Sequence, residues 1–115
     1  MTKLKDTETA LTKFEEAASK HAEATEQGDY KTANKNYAII AKIITFLRER
    51  NEERSLSRFL KDSSDGPKSW AATYLLPVNE LAAVQALEEI AEGSGIRSLA
   101  AQTTLSEWRK GNLKL

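Results

Sequence analysis

The chain lacks several residue types that common protein chemistries require. Among its 115 residues there is no cysteine and only one histidine. Disulfide bonds, thiolate catalysis and cysteine-ligated zinc are therefore excluded, while the redox compartment stays open. The 17 Lys and Arg residues equal the 17 Asp and Glu residues. The chain thus has no overall basic excess of the kind that nucleic-acid-binding proteins usually show, and we expect no nucleic-acid partner.

Long apolar runs are also missing. The longest one, from Tyr37 to Leu47, is interrupted by Lys42 and is too short to span a bilayer. The stretch up to Leu11 contains no apolar segment long enough for a signal peptide. We therefore expect a cytoplasmic protein without a membrane partner. Apolar residues make up 40% of the chain, which is enough for one core in a single domain over residues 1–115.

Apolar residues recur at steps of three and four, which predicts helices throughout and no strand. We expect six helices: residues 6–27, a second from Tyr30 to a break near 50–52, a short third that buries Leu56, Phe59 and Leu60, a fourth from Pro67 to before Pro77, a fifth from Asn79 to Gly93, and a sixth over residues 98–110. The fold class is all-α. Short connections favour antiparallel pairs, arranged as a short HEAT/ARM-like α-solenoid or as a compact helical bundle.

Particular residues are expected at the helix ends and contacts. Asp29, Asp65 and Asn79 have side chains suited to N-caps, and residues 61–66 are the clearest loop. The expected inward positions are Leu11, Phe14, Ala18, His21, Ala22 and Thr25 in the first helix, Tyr30, Ala33, Tyr37, Ile39, Ile40, Ile43, Ile44 and Leu47 in the second, Leu81, Val84, Leu87, Ile90 and Ala91 in the fifth, and Leu99, Ala100, Thr103 and Trp108 in the sixth. Small contact residues at Ala71, Ala72, Ala82, Ala83, Ala86, Ala91, Ala100 and Ala101 allow helices to pack closely.

No catalytic or metal-binding pattern accounts for the polar residues. His21 lacks an evident nucleophile and lies on the apolar stripe, which favours a packing role. The loop that ends at Gly66 does not match a calcium loop, because Ala72 stands where the bidentate glutamate is needed. No glycine-rich turn follows a strand, so a phosphate-binding loop is absent. We predict a protein that is not an enzyme and holds no cofactor or metal.

Two features leave alternatives open. The predicted fifth helix is acidic and is followed by a basic segment, so its carboxylates are candidate partner-binding residues: Glu80, Glu88, Glu89 and Glu92. The alternative is an ordinary polar face with charges matched to the helix dipoles. Trp70, Tyr74 and Trp108 either fill the core or anchor an interface.

Three stretches from Trp70 onward carry a family resemblance: residues 70–72, 86–91 and 104–111, with a looser one at 24–34. Through them the chain resembles a bacterial family known as domain of unknown function 2019, whose members look like small helical proteins of the armadillo/HEAT class. The resemblance implies a protein-binding helical scaffold. The concrete expectation is an immunity protein that binds and neutralises a cognate nuclease toxin, and the alternative is an adaptor or regulatory subunit of a bacterial complex.

Overall fold

The computed structural model describes residues 4–61 and 64–115, and these residues are helical without any strand. The α-helices are α1 (Thr7–Glu26), α2 (Tyr30–Glu49), α3 (Asp65–Leu75), α4 (Glu80–Ala91) and α5 (Ile96–Arg109), and a 3₁₀ helix, Glu53–Phe59, joins α2 to α3. The predicted all-α fold with six helical elements is confirmed. In the predicted loop 61–66, Asp62 and Ser63 lie outside the described residues.

Helices α1 and α2 form a closely packed pair. Asp6 caps α1 by accepting a hydrogen bond from the Thr9 amide, and Asp29 caps α2 by accepting from the Thr32 amide, as predicted for Asp29. Gly28, at φ 73°, reverses the chain between them. Because the connection is so short, the two helices lie antiparallel. Their shared face buries the largest predicted apolar residues: Leu11, Phe14, Ile40, Ile43, Ile44 and Leu47.

Other predicted inward residues of α2 are exposed instead. Tyr30 is 73% exposed, Tyr37 is 47% exposed, and Ile39 is also exposed. The stripe is wide enough to contact two neighbours, but α1 and the 3₁₀ helix cover only part of it. The broad apolar stripe of α2 is therefore only partly covered by other parts of this chain.

Helix α3 begins earlier than predicted, and its start is fixed by packing. Asp65 is its first helical residue and not its cap, and Ser64 occupies the N-cap position without a side-chain hydrogen bond. Gly66 lies inside the helix, where an added Cβ atom would be 2.7 Å from the carbonyl oxygen of Ala18. The absence of a side chain at Gly66 thus lets the first turn of α3 lie against α1.

In α4 and α5, some residues that were predicted to face inward are exposed. Leu81 is 82% exposed, because it lies on the side of α4 opposite the buried Ala83, Ala86, Leu87 and Ile90. Asn79 stands at the N-cap without a side-chain hydrogen bond. In α5, Leu99 is 62% exposed and Ala100 and Thr103 are exposed, while the buried residues are Ser98, Ala101 and Leu105. The hydroxyl of Ser98 donates to the carbonyl oxygen of Ala91 at 2.8 Å, which turns this face of α5 toward α4.

Helix α3 connects the two halves of the molecule. It packs against α1, the 3₁₀ helix and α4, and α5 packs mainly against α4. Most of the predicted small contact residues are buried in these interfaces: Ala71, Ala72, Ala83, Ala86 and Ala101. The molecule extends 36 × 31 × 27 Å, which is the shape of a bundle and not of an elongated stack. Of the two predicted architectures, the structure has the compact helical bundle.

Candidate functional site

The four acidic residues predicted to bind a partner are all exposed, three in α4 and Glu92 at its C-cap, but three of them have side-chain contacts within the chain. Glu80 accepts a hydrogen bond from the indole nitrogen of Trp108 at 2.6 Å. Glu88 pairs with Arg109 at 3.2 Å, and Glu89 pairs with Lys68 at 2.8 Å.

Glu92 and Glu88 line a shallow recess on this side of the molecule together with two basic residues of the following helix end, Arg109 and Lys110. The acidic helix and the basic segment that the sequence distinguishes therefore face each other across this recess. Their opposite charges offset one another there.

A separate cavity of 520 Å³ lies among α1, α2, α3 and α5, and we call it the groove. Its volume falls within the range of about 300–1,000 Å³ that is common for ligand sites. Its principal side chains come from all four helices and from the residues after α5: His21, Glu26, Tyr37, Arg48, Asp65, Trp70, Tyr74, Ile96, Arg97, Leu113, Lys114 and Leu115.

Four aromatic rings meet at the groove, with Trp70 at their centre. The ring centroids of Trp70 and His21 are 5.1 Å apart in an edge-to-face arrangement, and those of Trp70 and Tyr37 are 5.6 Å apart. Tyr74, one turn further along α3, stacks on Trp70 at 5.9 Å. Trp70 and Tyr74 are only half-buried. The rings therefore pack partly against the bundle, as the core alternative predicts, and they also line an open surface.

His21 contacts Trp70 across the interface of α1 and α3, which agrees with the predicted packing role. Burial lowers the pKa of its imidazole below the ordinary value, because a charged ring would lose hydration there. The neutral form of the imidazole is therefore favoured. Within the described residues, its side chain makes no hydrogen bond to a carboxylate.

Two arginines with different surroundings line the groove. The guanidinium of Arg48 lies over the ring of Tyr74, 5.7 Å from its centroid, and no carboxylate of residues 4–61 or 64–115 pairs with it. Arg97 lies 3.4 Å from a carboxylate oxygen of Glu26 and 3.9 Å from one of Asp65. The atom that faces Glu26 is the buried Nε, and this contact is an ion pair without the geometry of a hydrogen bond.

Exposed apolar residues continue beyond the groove along its rim. Tyr37 and Ile96 are exposed where they line it, and Leu99 lies one helical turn from Ile96. Leu113 packs against the core after the end of α5 and forms part of the wall. Several exposed apolar residues at and beside one cavity are more informative than scattered ones, because clustered apolar surface is typical of binding sites. Sequence periodicity missed this cluster, since its residues come from several helices and some were expected in the core.

The described residues contain neither a metal-binding cluster nor a helix suited to cross a membrane. In the described part of the chain, no cluster of three or more His, Cys, Asp or Glu side chains could hold a metal ion. No helix among those residues is both long and apolar enough to cross a bilayer. Comparison with models of known protein families, with curated proteins and with solved structures finds no match.

Proposed function

We propose that this protein is a protein-binding helical module and that its partner docks in the groove among α1, α2, α3 and α5. The observation that carries the proposal is the half-buried Trp70 with the exposed Tyr37 beside it and the exposed Leu99 on the rim. These side chains leave apolar area in water that an incoming protein surface would cover.

The composition of the groove supports a protein partner. Trp, Tyr and Arg are the residues that most often dominate the free energy of binding at protein interfaces, and the groove contains Trp70, Tyr37, Tyr74 and Arg48. Aromatic rings held by neighbouring rings lose little conformational entropy when a partner binds. The groove therefore offers a preorganised anchor with an apolar rim.

Capture from the source organism, followed by reconstitution, tests this function. Tagged wild-type protein retains a partner, which is identified and then shown to bind directly when both proteins are purified. Tyr37→Ala and Leu99→Glu should weaken that direct binding at least about tenfold, a change typical of lost interface anchors. Tyr30→Ala and Leu81→Glu are matched controls, because both residues are exposed and lie outside the groove. Equal binding by all four variants would contradict the proposal.

A finer version of the proposal is an immunity protein that neutralises a nuclease toxin. Its support lies outside the groove, on a second surface formed by the carboxylates of α4, where Glu88 and Glu89 are more than half exposed despite their ion pairs. An acidic helix suits a nuclease site, which is usually basic because it holds phosphates. The alternative is an adaptor subunit, whose partner would not be toxic by itself.

Co-expression distinguishes the two. We expect the product of the neighbouring gene to be toxic alone, to co-purify with this protein and to lose its toxicity in its presence. A Glu88→Gln/Glu89→Gln/Glu92→Gln variant should rescue growth less well. A neighbouring product that is neither toxic nor bound would overturn the immunity version and leave the adaptor version.

A further inference from the structure

We infer that the groove selects a peptide segment that places a carboxylate beside an apolar or aromatic anchor side chain. This inference rests on the proposed protein-binding function and specifies the chemistry of the partner. Its basis is the juxtaposition of Arg48 and Arg97 with the aromatic cluster around Trp70.

Arg48 supplies the clearest preference for an acidic group. Arg50, Arg58, Arg97 and Arg109 each have a carboxylate within ion-pair distance. In the described chain, Arg48 has none, and it is exposed at the groove with its guanidinium over the ring of Tyr74. Among the described residues, the side-chain hydrogen bonds made by arginines belong to Arg50, Arg58 and Arg109, so the N–H groups of Arg48 are available. Those groups match the two oxygens of a carboxylate in a bidentate arrangement.

Arg97 supplies a second donor. Its Nε atom lies 3.4 Å from a carboxylate oxygen of Glu26, and its Nη1 atom lies 3.9 Å from one of Asp65, so its charge is already offset. The Arg97 side chain is 40% exposed, so its remaining N–H groups can donate to an acceptor in the groove. Arg97 is already close to two carboxylates, so a neutral carbonyl oxygen of a peptide suits it better than a third carboxylate does. The preferred position for the acidic group is therefore beside Arg48.

The length of the groove favours a peptide over a compact small molecule. Its wall on α2 runs from Tyr37 to Arg48. At a rise of about 1.5 Å per residue, this is about 16 Å along the helix, or the length of about five extended residues. Leu99, next to the lining residue Ala100, is a further exposed apolar residue beside the groove. An elongated ligand can cover Trp70 and reach Arg48 at the same time.

Synthetic peptides test the inference with the intact chain. The probes are fluorescently labelled, terminally blocked peptides that span the groove and carry a central Phe flanked by Glu residues, by Gln residues or by Lys residues. We expect the Glu peptide to bind about tenfold more tightly than the Gln peptide, which corresponds to one charge-assisted hydrogen-bonded pair. The Lys peptide should bind most weakly. Fluorescence anisotropy at several salt concentrations gives the dissociation constants.

Arg48→Gln should abolish the difference between the Glu and Gln peptides, and Arg54→Gln should preserve it. Arg54 is a suitable control because it is exposed, lies outside the groove and, among the described residues, also lacks an ion pair. Arg48→Lys keeps the charge but not the bidentate geometry, so it should restore only part of the difference. Circular dichroism verifies that each variant is folded.

The outcomes separate this inference from the proposed function. Equal binding of the Glu and Gln peptides, no peptide binding, or an equal loss in the Arg54→Gln variant would each overturn the preference for an acidic segment. The proposed function would still stand if a captured partner bound wild type and was lost on Tyr37→Ala and Leu99→Glu. It fails separately if those two substitutions leave partner binding intact.

Discussion

Gly66 of α3 lies directly against the main chain of Ala18 in α1. A Cβ atom at position 66 would be 2.7 Å from the carbonyl oxygen of Ala18 and 3.0 Å from the Cβ atom of Ala22. The backbone of Gly66 is not in the left-handed region, so its requirement for glycine comes from this close approach alone. The contact fixes how α3 crosses α1 and thereby positions Trp70 at the groove.

We expect Gly66→Ala to destabilise the protein. Alanine would favour the helix by about 1 kcal/mol, but an unrelieved close contact in a packed interface costs about 1–3 kcal/mol. The net loss should be about 1 kcal/mol, measured as the free energy of unfolding in urea. Gly93→Ala is the comparison, because a Cβ atom there would meet only the Ile90 carbonyl oxygen, at 3.3 Å. A Gly66→Ala protein that is more stable than wild type would contradict the close-packing explanation.

The caps of α2 and α4 give a paired prediction. Asp29 accepts a hydrogen bond from the Thr32 amide, whereas Asn79 occupies the same helical position in α4 without such a bond. Asp29→Ala should therefore lower the thermal midpoint, and Asn79→Ala should change it much less. The hydrogen bond from Thr32 also lowers the pKa of Asp29. Its contribution is thus complete above the ordinary aspartate pKa and is lost as the pH falls through the lowered one.

Thermal unfolding of both variants at pH 7 and at pH 3 measures this difference. The Asp29→Ala protein should differ most from wild type at pH 7. A larger effect of Asn79→Ala at pH 7 would show that the cap hydrogen bond is not what stabilises the start of α2.

The regular helices could be predicted from sequence because their signals are local. The sequence locates α1 and α2 to within a residue or two. The signals are Asp29 with the glycine before it and the apolar period through Ile40, Ile44 and Leu47. The direction in which α5 faces could not be predicted in this way. Its outward side carries Leu99, and its inward side carries the polar Ser98, which is buried because it donates to the Ala91 carbonyl oxygen.

The groove was beyond sequence reasoning for a related physical reason. Four residues of the groove carry no signal of a site within their own helices: His21, Tyr37, Trp70 and Arg97. They converge because α3 crosses α1 closely at Gly66. The residues around Gly66 predict a loop, so this crossing could not be expected from sequence. The acidic residues of α4 were visible in sequence as a charge asymmetry, but the partners of Glu80, Glu88 and Glu89 come from other helices.

His21, the one histidine of the sequence, makes the free energy of unfolding depend on pH just below its ordinary pKa. Burial lowers the pKa of His21 in the folded protein below the value of about 6.5 expected in the unfolded chain. As the pH falls below that value, the unfolded state takes up the proton first, so the free energy of unfolding decreases. The free energy of unfolding stops decreasing once the pH is below the pKa of His21 in the folded protein. Above pH 7, His21 is neutral in both states and contributes no pH dependence.

Urea unfolding at pH 7 and at pH 5.5 measures this effect, and NMR titration of the His21 ring gives its folded pKa. His21→Gln should remove the pH dependence between these values, because the chain contains only one histidine. A ring that titrates above its ordinary value, or an unchanged pH dependence in His21→Gln, would show that burial against Trp70 does not control its protonation.

Site-specific photo-crosslinking in the source organism tests the central claim most directly. A photoreactive phenylalanine analogue replaces either Tyr37, which lines the groove, or Tyr30, which is exposed on the same helix outside it. Irradiation of living cells should link a partner protein to position 37 and not to position 30. Adducts from position 30 without adducts from position 37 would contradict the assignment of the groove as the docking site.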